Sequence, residues 1–242
     1  MIIGICKYCK KEFRKRENKR IFCSLFCSNN FNKNCLTKVN LPSYSIDLAE
    51  FVGICLGDGY VSKYQVFVTL NSIVDHEYIP YVMNLIQKLF PKVGMSLVKR
   101  KDNATDVRIN SSIVASFLSS MGIIPNKKII PAWIFTNESY KKVCVRGLFD
   151  TEGSISFKVY EAKAGRSLYK QLNFRNTDTK LIKFVRDTLF ALHLKPTMTL
   201  KNSLYISNHL DIDKVREIIG FSNPKLQKRS QVYAYSEYLS LL

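Results

Sequence analysis

Acidic residues are scarce in this chain: 19 Asp and Glu stand against 37 Lys and Arg, a formal net charge of +18 over 242 residues. That imbalance disfavours a neutral small substrate and points to a polyanion, either nucleic acid or an anionic membrane surface. Long apolar runs are missing too. None approaches the ~18–20 residues of a membrane-spanning helix. The opening MIIGICKYCKK has neither the apolar core nor the cleavage site of a secretory signal. The expectation is an intracellular protein with no membrane partner, in the cytoplasm of a prokaryote or phage-infected cell, or in an organelle. Only three histidines occur, His76, His193 and His209, and their spacing suits no metal site. We find no nucleophilic triad and no phosphate-cradling glycine loop. Seven cysteines, an odd number without an export signal, argue against a disulfide framework.

What is present is enough for a core. Hydrophobic residues make up 46% of the chain and aromatics 12%, which excludes a disordered tail. Residues 1–40 stand apart, with ten Lys and Arg against two Glu. Pro42 then suits a linker.

Two repeats follow, at 45–126 and 137–225, with a helical tail at 226–242. FVGICLGDG at 51–59 and VRGLFDTEG at 145–153 are each apolar with Gly at the third position, and each ends in an acid followed by Gly. The two acids, Asp58 and Glu152, are 94 positions apart. Behind each motif come strand patterns (60–63 with 65–70; 154–160 with 168–175) and then a helix pattern (75–90; 178–192). Asp75 and Asp178 are placed as N-caps. Further strand pairs (95–100 with 106–109; 197–200 with 203–206) and a closing helix (111–121; 210–219) complete each copy. The order is αββαββα, an α+β fold built from two pseudo-symmetric halves. The tail from Pro224 reads as amphipathic helix packing onto the second repeat.

Taken as helices, the motifs align Ala49, Gly53 and Gly57 on one face, and Val143, Gly147 and Thr151 on another. Small residues allow two helices to approach closely. Packed on those faces, the helices end side by side, with Gly59 and Gly153 as left-handed C′ residues. That gathers two carboxylates at two helix C-termini, a costly arrangement that a divalent cation relieves. A lone acid-Gly pair is usually just a helix end; two copies with equivalent flanks are not.

These segments resemble the LAGLIDADG motifs of homing endonucleases, VRGLFDTEG closely and FVGICLGDG well, and the resemblance covers about residues 45–225. It implies a single-chain, two-motif monomer whose sheets form a saddle over duplex DNA, with a site of about twenty base pairs or longer. It implies Mg²⁺ (or Mn²⁺) held by Asp58 and Glu152, hydrolysis of one phosphodiester on each strand to leave short 3′ overhangs, and a mobile intron or intein as genetic context. No splicing domain is evident, which favours a free-standing or intron-encoded protein. The motif's earlier acid is Asp150 in the second copy but Leu56 in the first. The family also places a basic and a polar residue near the metals. Asn71 and Asn176 are polar candidates, whereas Ser112 and Asn208 stand where a basic residue is expected. Alternatives on the same scaffold are an RNA maturase acting on intron RNA and a non-cleaving DNA-binding regulator.

Cys6, Cys9, Cys23 and Cys27 form two thiol pairs suited to one tetrahedral Zn²⁺, and a ~40-residue segment needs such a staple. CKYCKKEF…RIFCSLFC resembles the small treble-clef or zinc-ribbon fingers found beside nucleases. Cys35 is spare, and Cys55 and Cys144 read as packing residues. Arg14, Lys15, Arg16, Lys19 and Arg20 suit phosphate contacts. In the repeats, Lys63, Gln65, Lys99, Arg100, Lys101, Arg108, Lys158, Lys170, Arg175 and Lys201 are candidates to face DNA, although strand alternation turns about half of them away. Lys163 and Arg166 sit in a loop positioned to order on DNA. Trp133 reads as an anchor for the connecting segment.

Overall fold

The computed structural model describes residues 2–15, 17, 19–34, 39–125, 127–162, 165–199 and 202–241. Arg16, Cys35, Lys163 and Lys201, and Asn126 at the end of the first repeat, lie outside them. The chain divides into two compact units, Met1–Asn40 and Leu41–Leu242.

In the first unit, β1 (Ile2–Ile5) and β2 (Glu12–Lys15) pair as an antiparallel hairpin, and α1 (Leu25–Asn34) follows. The hairpin turn closes through Lys10, whose φ of 62° is left-handed and whose N–H donates to the Cys6 carbonyl at 2.9 Å.

The second unit contains the sequence order twice. The first copy runs α2 (Ile46–Asp58), β3 (Gly59–Val61), β4 (Val66–Asn71), α3 (Tyr78–Leu89), β5 (Met95–Lys99), β6 (Ala104–Ile109) and α4 (Ser112–Ser120). A short hairpin, β7 (Ile123–Ile124) with β8 (Lys127–Lys128), and a 3₁₀ turn at Ala132–Thr136 connect it to the second copy. That copy runs α5 (Glu138–Glu152), β9 (Gly153–Ala162), β10 (Gly165–Arg175), α6 (Thr179–Ala191), β11 (Thr197–Thr199), β12 (Ser203–Ile206) and α7 (His209–Ile218), with α8 (Pro224–Ser230) and α9 (Tyr235–Leu239) as the tail. The sheets have equivalent antiparallel orders, β3-β4-β6-β5 and β9-β10-β12-β11.

Local chemistry explains most boundaries. Ser45 caps α2 through Leu48 N–H, Asn137 caps α5 through Ser139 N–H, and Asp178 caps α6 through Lys180 N–H. Asp75 does not cap α3. The chain turns three residues longer there, Glu77 is the last residue before the helix, and the Asp75 carboxylate is taken by Asn71 N–H, Asn223 and Lys225.

The core lies where α2 and α5 cross. A Cβ on Gly53 would stand 2.9 Å from the Cys144 carbonyl carbon, and one on Gly147 would stand 2.8 Å from Ile54 N. The two backbones therefore touch with only hydrogen between them. Gly59 and Gly153 depart from the sequence expectation. Both are extended (φ −86° and −85°), not left-handed. Glycine is needed there because each chain folds back over its own helix: a Cβ would meet the Cys55 oxygen at 2.6 Å and Phe149 Cα at 3.0 Å.

The tail packs more widely than expected. It covers the helix side of the second sheet, with Arg229 donating to the Ile155 carbonyl at 2.8 Å. It also reaches the first copy, through Lys225–Asp75 (2.9 Å) and Lys228–Glu77 (2.8 Å). Trp133 is buried in the connector, stacked on Tyr44 at 4.5 Å and edge-on to Tyr140.

Candidate nuclease-type site

Asp58 and Glu152 are the last residues of α2 and α5, and the helix crossing brings those ends together. A Cβ on Gly57 would lie 3.3 Å from Glu152 Cγ. Each acid is half-buried. Burial, followed by the nearby Glu152 charge, pushes the Asp58 carboxyl up to about 7. Glu152 is also raised, chiefly by burial. Two opposing contacts favour the charged forms: Asn176 Nδ2 donates to Glu152 Oε1 at 2.9 Å, and Lys128 lowers both acids. Lys128 Nζ itself donates to the Gly57 carbonyl at the end of α2.

The sequence reading missed Lys128. It comes from the connecting hairpin rather than from either repeat, so no internal alignment points to it. Of the polar candidates, only Asn176 reaches an acid of the pair. Asn71 spends its side chain on the N–H groups of Ile73 and Val74. Asn208 caps α7, and Ser112 opens α4. A polar cavity of ~510 Å³ opens beside Glu152, lined by Arg175, Asn176, Thr177 and Asn202.

Beneath the acids lies a second polar cluster that the sequence did not suggest. Glu50, only 2% exposed, accepts from Arg146, Tyr81 Oη (2.7 Å) and Ser222 Oγ (2.6 Å). Asp150, also 2% exposed, accepts from the N–H groups of Ser222 and Asn223, and desolvation raises it to about 7. Asn223 also donates to the Asp150 carbonyl and to Asp75, both at 3.0 Å. The motif's earlier acid is thus a tether for the chain's return and not part of the cation pair.

The basic candidates separate by strand parity and by partner. Lys158 and Arg175 are exposed. In register they pair with Tyr169 and Ser203, on the side of the second sheet away from the buried Ile155 and Leu172. Lys63 is exposed in the β3–β4 turn, while Gln65 is half-buried and its backbone closes that turn with Ser62. Lys99 pairs with buried Thr105 and so has the parity of the helix side. Arg108 and Arg100 sit 2.7 and 3.7 Å from buried Asp106. Its carboxyl is held low against its desolvation by hydrogen bonds from Arg108 and Thr69 and then by the two arginine charges. Lys101 follows in the exposed β5–β6 turn. Lys170 is a clear correction. It is fully buried, donates to the Ser230 carbonyl at 2.6 Å, and lies 4.1 Å from the Tyr233 ring centre. The tail covers this lysine, so it is not available to DNA. Arg166 pairs with Glu161 and Tyr235.

In the first unit, the sulfurs of Cys6, Cys9, Cys23 and Cys27 all lie within 4.8 Å of one another. Cys9–Cys23 and Cys23–Cys27 are 3.6 and 3.4 Å apart. Against desolvation, backbone N–H groups of Cys23, Cys9 and Tyr8 pull the Cys6 thiol down to about 6. Sharing a proton with Cys27 pushes Cys23 up to about 12, as expected of thiols crowded together. Arg20 donates to the Phe22 and Cys23 carbonyls, so its guanidinium serves the module's own loop. Arg14 and Lys19 are exposed, and Lys15 is half-buried.

No protein-family model matches the chain. Two curated proteins of Methanocaldococcus jannaschii are similar to it in sequence. One is DNA-directed RNA polymerase subunit Rpo1C, 28% identical over 217 residues, which are 84% of this chain and 23% of the relative. The other is Replication factor C small subunit, 24% identical over 194 residues, 78% of this chain and 10% of the relative. The chain therefore spans less than a quarter of either relative's length. Among solved structures, the homing endonuclease I-DmoI in complex with DNA and Ca aligns over 72% of this chain and 88% of its own, at 21% identity and a TM-score of 0.52. Meganuclease I-SmaMI bound to uncleaveable DNA aligns over 78% and 87%, at 12% identity and a TM-score of 0.50. These likenesses establish the fold: the second unit has the LAGLIDADG architecture. Among the described residues, no helix is long and apolar enough to cross a membrane.

Proposed function

We propose that the chain is a site-specific, metal-dependent endonuclease that acts as a monomer and cuts both strands of a duplex DNA site. The observation that carries this reading is the Asp58–Glu152 pair. Two carboxylates from equivalent helices meet at helix C-termini, where each resists ionisation until a cation is present. Carboxylate oxygens beside a backbone carbonyl are the hard donor set that Mg²⁺ or Mn²⁺ accepts. When bound, such an ion supplies activated water and stabilises the leaving oxygen of a phosphodiester. The chain's own residues do the rest. Asn176 fixes one Glu152 oxygen. Lys128 favours the ionised form of both acids and adds positive charge where a phosphate would approach. Arg175, exposed on the rim of the polar cavity, is placed to hold a phosphate.

The four sulfurs of the first unit suit Zn²⁺. Zn–S bonds of about 2.3 Å in a tetrahedron put sulfurs ~3.8 Å apart, near the spacing found. Bound zinc would supply folding free energy to a module this small, and its exposed basic residues would lengthen the DNA footprint. The activities named for the two archaeal relatives are not carried over, because the match covers a minor part of each. A segment shared by two different host proteins suits a mobile module.

The test is selection from a degenerate duplex library in Ca²⁺, followed by a Mg²⁺ chase. Enriched duplexes cut on both strands, with cleavage lost in EDTA and in Asp58→Asn while binding remains, support the reading. Tight binding without cleavage in any divalent ion would leave a regulator, and preference for structured RNA would leave a maturase.

A further inference from the structure

The two sheets are equivalent in order but not in reach. β9 and β10 pair over ten positions, from Gly153↔Phe174 to Ala162↔Gly165, whereas β3 and β4 pair over three. In the first sheet the longest ladder, β4 with β6, has six positions. At about 3.3 Å per residue the second hairpin extends ~33 Å and the first ladder ~20 Å. At ~3.4 Å per base pair, those lengths correspond to about ten and six base pairs.

The outward faces differ in charge as well. On the second hairpin that face carries Ser154, Ser156, Lys158, Gln171, Asn173 and Arg175, and no acid shares their parity among the described residues of β9 and β10. Asn and Gln suit adenine edges and Arg suits guanine. On the first sheet the same parity brings Thr69 and Arg108 onto Asp106, with Arg100 also close, so two arginines are drawn onto one buried carboxylate that the second hairpin's face lacks.

A long hairpin would bend unless it were supported. The tail supplies that support to the second hairpin's other face. Arg229 lies over Phe157 at 4.9 Å, Phe157 packs on Tyr238 at 5.2 Å, Lys170 anchors to Ser230, and Arg166 reaches the Tyr235 hydroxyl at 2.9 Å.

Given the endonuclease reading, we infer that this protein reads its DNA site unequally. The second repeat is the principal specificity arm, contacting a half-site longer by about four base pairs, and the C-terminal segment is the brace that keeps its outer end in register. Gln171 is the specificity-determining residue of the inner part, and Asn173, whose Nδ2 donates to Ser156 Oγ and the Gln171 carbonyl, is a positioning residue beside it. Tyr235 and Arg166 are positioning residues for the outer part.

The experiment is the same Ca²⁺ selection on the full-length protein, with information content measured per base position. Wild type is expected to show one half-site with a longer run of specified positions. Gln171→Ala should relax preference within that half only, which assigns it to the second repeat. Tyr235→Phe should lose several-fold discrimination at the outermost positions of that half, with the Mg²⁺ cleavage rate on the selected site unchanged. Half-sites of equal length, or a longer half that ignores Gln171→Ala, overturn the inference while the endonuclease reading stands. Failure to enrich any duplex overturns both.

Discussion

Replacing Gly53 by alanine tests the helix crossing on which the site depends. The added methyl would lie 2.9 Å from the Cys144 carbonyl carbon and closer still to its oxygen. Relaxed carbon–carbon contacts need about 3.5–4.0 Å, so the helices must part by roughly 1 Å. Overpacking costs about 1–3 kcal/mol, and backbone against backbone belongs at the upper end. Alanine returns about 1 kcal/mol of helix propensity. The net loss is ~2 kcal/mol, or about 4–8 °C in Tm for a unit of this size. The same displacement separates Asp58 from Glu152, and a misplacement of ~1 Å costs about 10²-fold in rate. Thermal melts and single-turnover cleavage of the selected duplex read both effects. Gly94→Ala is the control, since a Cβ there meets nothing within 4 Å. If Gly53→Ala melts and cleaves like Gly94→Ala, the helices do not touch as described.

Four further outcomes are expected. Asp58 and Asp150 retain protons up to about 7 when folded, against ~3.9 unfolded. The metal-free protein therefore loses stability as pH rises from about 4 through 7. At pH 8, Mg²⁺ should raise the Tm of wild type but not that of Asp58→Asn; an equal rise in both would place the cation elsewhere. Lys128→Met removes the charge that favours ionisation, so the Asp58 midpoint, followed by carboxyl NMR without metal, should move upward, and an unmoved midpoint would detach this lysine from the pair. Arg175→Ala should lower the salt slope of DNA binding by about one phosphate contact, whereas Lys170→Met should leave the slope alone and lower Tm; the reverse result would refute the burial of Lys170. Cys9→Ser should release about one equivalent of zinc and expose Met1–Asn40 to protease while the second unit stays folded, and full zinc retention would exclude Cys9 as a ligand.

The duplicated motif made the helix pair, the αββαββα order and the facing acids legible, because all three are written in local spacing. What stayed hidden depends on contacts across long separations. Glu50 and Arg146 are 96 positions apart, and each alone reads as a surface charge on a helix. Lys128 is one lysine of a KKII string with no pattern around it. Lys170 lies in a strand whose alternation is visible, but which face is covered depends on a tail sixty positions away. The glycines after the acids suggest a left-handed helix end, but both are extended, since crowding by the preceding turn excludes a side chain as well as a positive φ does.

The anchoring of Glu50 and Asp150 by Ser222 and Asn223 has a consequence in time. Glu50 is made 172 residues before the hydroxyl that completes its hydrogen bonds. At about 5–20 residues per second of synthesis, that interval is roughly ten to thirty seconds. Throughout it Glu50 lacks the Ser222 hydroxyl, and for its first 96 residues Glu50 also lacks Arg146. Asp150 waits a shorter interval for the same two residues. The contacts that tie down the base of the Asp58–Glu152 helix pair are thus completed last, after every strand of both sheets has been synthesised.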